Sequence, residues 1–380
     1  MELRQISLQH LPNPAELTEL AAISPQLLLV FGSPRFFEQA ALPESLAPVG
    51  ANIVIGCSSA GEISSHGVGN KSLVLSALHF DDTRLCSVSE VIAGIPDSHA
   101  AGARLAGQLP QEGLRHVLLL GPGLDLNGSA VVAGMQSVLP AGVQISGGLA
   151  GDDGAFATTY TLGAAGLASN RLVALGLYGE RIGISCGSFH GWVPFGPLRK
   201  VTRSSGNILY ELDGEPALDV YKRYLGDYAK DLPASGLLFP FEMLRADQQN
   251  VGLIRTILQV DDAAGSLTLA GDVVEDGYLR LMHATTDSLV DGAEQAAERV
   301  LAGVPANNSL SLLVSCVGRK LVMGARVDEE AEAVADMLGQ LALPAGFYSY
   351  GEIGPGIDTG DCRLHNQTMT ITALFEHPAA

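Results

Sequence analysis

One arrangement recurs three times along the chain, and it restricts the possible folds more than any single motif does. Short runs of leucine, isoleucine and valine, "QLLLVFG", "NIVIG" and "SLVLSALHF", end in glycine or polar residues and read as strands. Between the first two lies "SPRFFEQAALPESLAPVG", with Ser33 placed to cap a helix and Pro34 at its first position. Residues 26–80 therefore spell strand, helix, strand ending in a Gly-acid turn, and strand. The order returns from residue 116 in "HVLLLG", "GSAVVAGMQSVLP", "VQISGGLAGDD" and "RLVALGLYG". From residue 310 it returns again in "LSLLVSCVG", "DEEAEAVADMLGQLA", "GFYSYGEIG" and "MTITALFE". Leu28 to Glu62 and Leu118 to Asp152 are both 34 residues apart; Leu313 to Glu352 is 39, lengthened by "GRKLVMG", read as an extra hairpin strand.

A chain of 380 residues suits two domains. Helices alternate with strands while hairpins interrupt them, so the expected class is α/β (mixed α+β). The expected architecture is two lobes of mixed β-sheets flanked by helices, built from recurring strand-helix-strand-strand units. "EPALDVYKRYLG" and "TTDSLVDGAEQAAERVLAG" have helical apolar spacing, and residues 249–282 read as a strand meander.

Charge narrows the function. A net charge of -19 opposes approach to nucleic acid or an anionic membrane, and the basic clusters Arg199-Lys200-Arg203 and Lys222-Arg223 are short. The start "MELRQISLQHLPNP" lacks the features of a signal peptide, and no apolar run approaches a bilayer span. The five cysteines include no CxxC pair, which points to a reducing cytoplasm. A cytoplasmic protein without membrane insertion is expected.

The chemistry-bearing candidates lie at strand ends. Gly61-Glu62, Gly151-Asp152 and Gly351-Glu352 close equivalent strands, where ligands of sheets with helical crossovers collect. Each acid can accept from a ligand amine or cap its own turn. The third copy adds Tyr348 and Tyr350 as a stacking wall. Cys57, beside Ser58 and Ser59, is a nucleophile candidate if a base reaches it, and otherwise a buried small hydrophobe. "GPGLDLNGSA" lacks the dinucleotide fingerprint and the Gly-Lys-Ser/Thr of a phosphate loop. His190 follows an apolar strand among Phe189, Trp192 and Phe195. It reads either as a satisfied core histidine or as an axial ligand of non-covalently held haem.

"GCSSAGEI", "GGLAGDD", "HGWVPFGPLRKVTRSSGNILYELDGEPALDVY", "GFYSYGEIGP" and "HNQTMTITAL", in this order, resemble the FIST family of sensory proteins. The resemblance implies a FIST N-terminal domain over 26–200 and a FIST C-terminal domain over 201–376. It implies a small-molecule sensor and not an enzyme, and the residues read above, Cys57, Gly61, Glu62, Gly151, Asp152, Tyr348, Tyr350, Gly351 and Glu352, are the candidate lining of its ligand site. Similarity to the stand-alone nitric-oxide-sensing branch implies haem b carried by His190 with Trp192, a gaseous ligand and a sensor histidine kinase as partner. A homodimer is a further expectation. Two other readings stand beside it: an amino-acid-like ligand without haem, and a Cys57-dependent hydrolase or transferase.

Overall fold

The structure, a computed structural model, describes every residue except 275, 305–307, 340–341, 357–359 and 379–380. Three equivalent parallel strand pairs organise it: Leu27–Gly32 with Ile53–Ser58, Leu114–Gly121 with Gln144–Leu149, and Ser309–Cys316 with Ala342–Ser349. One glycine in each pair lets the two backbones close. A Cβ at Gly56, Gly147 or Gly346 would fall 2.0, 2.0 or 1.8 Å from the partner strand's carbonyl oxygen. The return strands Leu73–His79, Arg171–Tyr178 and Met369–Glu376 run antiparallel beside the first member of each pair. Beyond them lie the edge strands Glu2–Leu8, Arg84–Val91 and Ile182–Phe189. The repeat is thus one strand longer than its sequence pattern, beginning a strand earlier.

Each unit also lends a hairpin to its neighbour. Glu62–Ser64 and Gly67–Gly69 leave the first unit and extend the third unit's sheet at Ala342–Ser349. The third unit's hairpin, Gly351–Pro355 with Cys362–His365, joins the second unit at Gln144–Leu149. The second unit's hairpin, Thr161–Gly163 with Gly166–Ala168, joins the first at Ile53–Ser58. The exchange closes on itself.

The three sheets turn one face towards a shared core containing Phe31, Cys57, Leu118, Leu175, Leu312 and Phe347. Their outer faces carry helices: Ser98–Gly107 and Gly128–Gln136 on the second unit, Thr286–Leu301 and Asp328–Leu338 on the third. Each leucine or phenylalanine so buried contributes about 1.5–3 kcal/mol. The stretch "GRKLVMG" is not a hairpin strand but belongs to the helix Val317–Met323, which turns Val317, Arg319 and Met323 inwards. Its short apolar run fits either period, and the buried partner of Arg319 selects the helix. Residues 340–341, at the end of the stretch expected as the last helix, lie outside the described residues.

A fourth sheet of nine strands is inserted between Ile182–Phe189 and Thr286–Leu301. It packs the helix Ala217–Leu225 on its own core of Val201, Leu209, Tyr221, Phe241 and Leu281. The mixed α/β architecture expected from the repeat is present, with helices flanking the three mixed sheets. Residues on both sides of position 200 share sheets, so the physical division runs between a three-sheet body and the inserted sheet.

The glycine contacts yield a stability contrast. Gly346→Ala must push apart a parallel strand pair and should cost about 1–3 kcal/mol, as overpacked cores do. Gly107→Ala meets nothing within 4 Å and should be neutral or stabilising by up to about 1 kcal/mol. Denaturant unfolding of the two variants checks this; equal midpoints would contradict the close approach.

Candidate functional site

The three Gly-acid turns meet where the sheets converge. Ala60 N–H donates to Tyr348 O and Tyr348 N–H to Gly61 O, both at 2.8 Å. Gly151 N–H donates to Ser58 O at 2.9 Å, and Ser58 Oγ donates back to Gly151 O at 2.7 Å. Tyr350 N–H closes the ring on Leu149 O at 3.1 Å. Glycine is needed here for contact: a Cβ at Gly151 would lie 2.6 Å from Ala60 N, and one at Gly351 2.9 Å from Leu364 Cδ1. Gly61 has φ of +139°, a backbone conformation other residues rarely adopt.

The acids are occupied by the chain itself. Glu62 is fully buried; Oε1 accepts from Ser59 Oγ at 2.5 Å, and Oε2 from Ser72 N and Oγ at 2.9 and 2.5 Å. Glu352 repeats this with Ser349 Oγ at 2.6 Å and with Thr368 N and Oγ1 at 3.2 and 3.0 Å. Ser72 and Thr368 each stand immediately before a return strand. Strand register places Leu172 at the corresponding position of the second unit, where no hydroxyl is available. The acid there, Asp152, is shorter and folds onto its own loop. Its oxygens accept from Phe156 N at 2.8 Å, Ala157 N at 2.6 Å, Thr158 N at 2.8 Å and the Tyr350 hydroxyl.

Both tyrosines are engaged as well. Tyr348 donates to Glu330 Oε1 at 2.7 Å, and Tyr350 stacks on Phe156 with ring centroids 4.3 Å apart. Lys320 Nζ lies over the Tyr348 ring and donates to Ala60 O at 2.6 Å and Asn70 Oδ1 at 2.5 Å. The structure therefore brings the eight candidate residues of the turns together, but as a packed polar knot, and turns Cys57, on the strand leading into it, towards the apolar core. Burial pushes the Cys57 thiol well above its ordinary range, and its side chain lies in the central core.

His190 and Trp192 lie elsewhere, where the chain leaves the third unit for the inserted sheet. His190 Nδ1 accepts the Trp192 backbone N–H at 3.0 Å, and the imidazole stacks on Phe189. Burial, with help from Arg319 and Arg299, pulls its pKa down to about 4, so the ring is neutral. With Nδ1 accepting, the single ring proton is on Nε2. An axial iron ligand needs the opposite tautomer, a free Nε2 lone pair with Nδ1–H donating. Trp192 is 3% exposed and its indole N–H donates to Gln367 O at 3.0 Å, so that ring is already packed. These two residues, so arranged, do not fit a haem.

Three features were not singled out in the sequence. Arg319 and Glu330, both fully buried, form an ion pair at 2.7 Å, and Arg319 also donates to His190 O and Leu289 O. A cavity of about 530 Å³ opens beside Ile92, Pro122, Asp125, Thr158 and Asn170, at the second unit's strand ends. Another, about 550 Å³, lies between the body and the inserted sheet. Ser129 and Ala133 of the helix Gly128–Gln136 form one wall, Leu253 and Arg255 of the inserted sheet the other, and Arg363 and Leu364 the floor. The available signal was a cation within an apolar run, as in "NVGLIRTILQV" and "SCVGRKLVMG".

Burial pushes Glu352 up to about 8, against an ordinary carboxyl near 4.5. The folded state then holds a proton that the unfolded state has released across that interval, so stability should fall as pH rises from about 4.5 through about 8. Glu352→Gln should flatten this slope. Urea midpoints measured at intervals of pH test it, and an unchanged slope in the variant would contradict a neutral Glu352.

Residues 26–215 match the family model of the FIST N domain, and residues 217–355 that of the FIST C domain. The chain is also similar to the uncharacterized protein MJ1623 of Methanocaldococcus jannaschii. The two are 26% identical over 274 residues, 64% of this chain and 50% of that protein. The chain thus spans about half the length of this curated relative. A crystal structure of cyanuric acid hydrolase from A. caulinodans aligns over 99% of both chains at 9% identity. Its TM-score of 0.37 is too low to carry an argument about fold or chemistry. With the first family model covering half of its length and the second following directly, the chain belongs to the FIST family of signalling sensor domain proteins.

Proposed function

We propose that this FIST protein is a small-molecule sensor whose ligand binds between the three-sheet body and the inserted sheet, and that its role is binding and not catalysis. The observation that carries this reading is the 550 Å³ cavity at that joint, a volume typical of small-molecule sites. Its walls belong to parts with separate cores. A ligand touching both favours whichever relative position closes both walls on it, and the altered surface is the signal. The separate output partner of this reading is a cytoplasmic sensor histidine kinase, the partner that the resemblance implies.

The alternatives find less support. The amine-binding role of Glu62, Asp152 and Glu352 competes with hydrogen bonds each carboxyl already makes inside the chain. A Cys57 nucleophile competes with burial in the central core. The haem- and nitric-oxide-responsive form needs His190 on iron, which the Trp192 amide opposes.

A thermal-shift screen of small organic molecules tests the reading. A ligand at 100 Kd should stabilise the chain by about 2.7 kcal/mol. Ala133 is exposed and borders the cavity, so Ala133→Trp should fill the mouth, keep the fold and abolish the shift. A shift that persists in Ala133→Trp would move the ligand elsewhere. In a parallel haem titration no His190-dependent Soret band is expected. A band that moves with nitric oxide and is lost in His190→Ala would reinstate the haem reading.

A further inference from the structure

The second unit departs from the other two where its parallel strands end. In the first unit the strand Leu27–Gly32 passes through Ser33 into a helix at Pro34, and in the third Ser309–Cys316 runs straight into Val317–Met323. In the second, residues 122–127 separate the strand Leu114–Gly121 from the helix Gly128–Gln136. The other strand of the pair differs likewise. Residues 150–160 follow Gln144–Leu149 before the next strand, whereas Tyr350 alone separates Ala342–Ser349 from Gly351–Pro355. Residues of both loops line the cavity of about 530 Å³. It stands beyond the carboxyl ends of a parallel pair, where ligands of sheets with helical crossovers collect. The loops are tied to each other beside it, Gly123 N–H donating to Thr159 Oγ1 at 2.9 Å.

The lining sorts by chemistry. Ile92, Ile95, Pro96, Pro122 and Leu124 form an apolar wall, and Ile95 is 52% exposed. Asp125, Thr158 and Asn170 bring oxygen acceptors, and among the described residues none of these three side chains is bonded within the protein. No lysine, arginine or histidine is among the described lining residues. A carboxylate without a cation repels an anion and attracts a cation. The partial positive charge at the start of the helix Gly128–Gln136 is already met by its cap, Asn127 Oδ1 accepting from Ala130 N–H at 3.1 Å. A bare metal ion would leave the apolar wall unused. An ammonium group with an alkyl chain uses both halves, since its three N–H donors match a carboxylate, a hydroxyl and an amide oxygen. The net charge of -19 raises the local concentration of any such cation.

We infer that this cavity is a ligand site separate from the one at the inserted sheet, and that it takes a small aliphatic amine in its ammonium form. The ammonium donates to Asp125, Thr158 and Asn170, and the alkyl chain lies against Ile95, Pro122 and Leu124.

Isothermal titration of the full chain at neutral pH with primary amines from propylamine to hexylamine tests this, each paired with the alcohol of the same length. At least one amine should bind at millimolar concentration or below, and affinity should rise about fourfold per methylene buried. Its alcohol should bind about 10- to 100-fold more weakly, as loss of a charge-assisted hydrogen bond predicts. Asp125→Asn should weaken the amine about tenfold without changing Tm. Asn tolerates the left-handed backbone at this position, φ +57°, as Asp does. Glu38→Gln, which removes an exposed carboxylate elsewhere, should leave binding unchanged and so separates a site from the general attraction of an acidic chain. Ala157 is exposed and borders the cavity, so Ala157→Trp should fill it and abolish binding. Ala133→Trp should not affect the amine, so the two sites stand or fall separately. No amine binding, equal binding of amine and alcohol, or binding indifferent to Asp125→Asn or to Ala157→Trp would each overturn the inference. Loss of the amine in Ala133→Trp would overturn it too, by moving the amine to the inserted sheet.

Discussion

The backbone hydrogen bonds between neighbouring Gly-acid turns are the contacts on which the body depends. Each unit is built around a parallel pair of its own, but each sheet is completed by a hairpin from another unit. The bonds from Ala60 to Tyr348, from Gly151 to Ser58 and from Tyr350 to Leu149 fix where each hairpin leaves its parent. No unit can satisfy its strand edge alone, so the body gains its pairing only when all three are in place. An exposed edge strand is a liability, and the exchange covers three such edges at once.

The acids follow from that geometry. A chain leaving one sheet for another has backbone and hydroxyl groups at the bend that water cannot reach, and a carboxyl two or three atoms long can collect them. Glu62 and Glu352 span to the residue preceding the return strand because Ser72 and Thr368 offer both an N–H and an O–H there. With Leu172 at that place, the second unit can only hold its own loop, and a shorter Asp152 does so. Chemistry-bearing residues at repeated strand ends therefore serve the repeat. In the reading proposed above, function lies where the repeat is broken.

That division explains what was legible in the sequence. Apolar runs of period two and helical runs closed by glycine report local structure, so the repeat and the helices Ala217–Leu225 and Thr286–Leu301 could be read directly. The meander expected over 249–282 is only a hairpin, Ile257–Asp261 with Ser266–Leu269, because Tyr278–His283 pairs with Phe241–Leu244 and Arg199–Ser205 instead. The hairpin exchange could not, because a three-residue strand such as Glu62–Ser64 carries no pattern stating which sheet it joins. The helix Val317–Met323 was hidden for a related reason. Its inward residue is a charged Arg319 whose partner, Glu330, lies beyond a turn. The turns were recognised as equivalent strand ends, but spacing tells neither that they meet nor whether a carboxylate faces solvent or is saturated by hydroxyls. Arg255 and Ser129 stand 126 positions apart, and only the position of the inserted sheet makes them neighbours.

The insertion is held unevenly, and the unevenness bears on how a bound molecule could matter. Its two ends are clamped together. Arg319, neutralised by Glu330, donates to His190 O at the entry and to Leu289 O just after the exit. Gly191 presses on the same helix, since a Cβ there would fall 2.0 Å from Ser288 O. A buried, fully paired guanidinium with several acceptors resists displacement, because moving it would leave charges unpaired away from water. At the cavity, by contrast, Arg255 reaches the body among the described residues through the carbonyl of Leu364 and the side-chain oxygen of Asn366. Of these two arginines, Arg319 is ion-paired, whereas Arg255 is bonded among the described residues to backbone and amide oxygens, with the Asp272 carboxylate near it but not bonded to it. In the reading proposed above, the joint at Arg255, and not the clamp at Arg319, is where a ligand would reset the position of the inserted sheet.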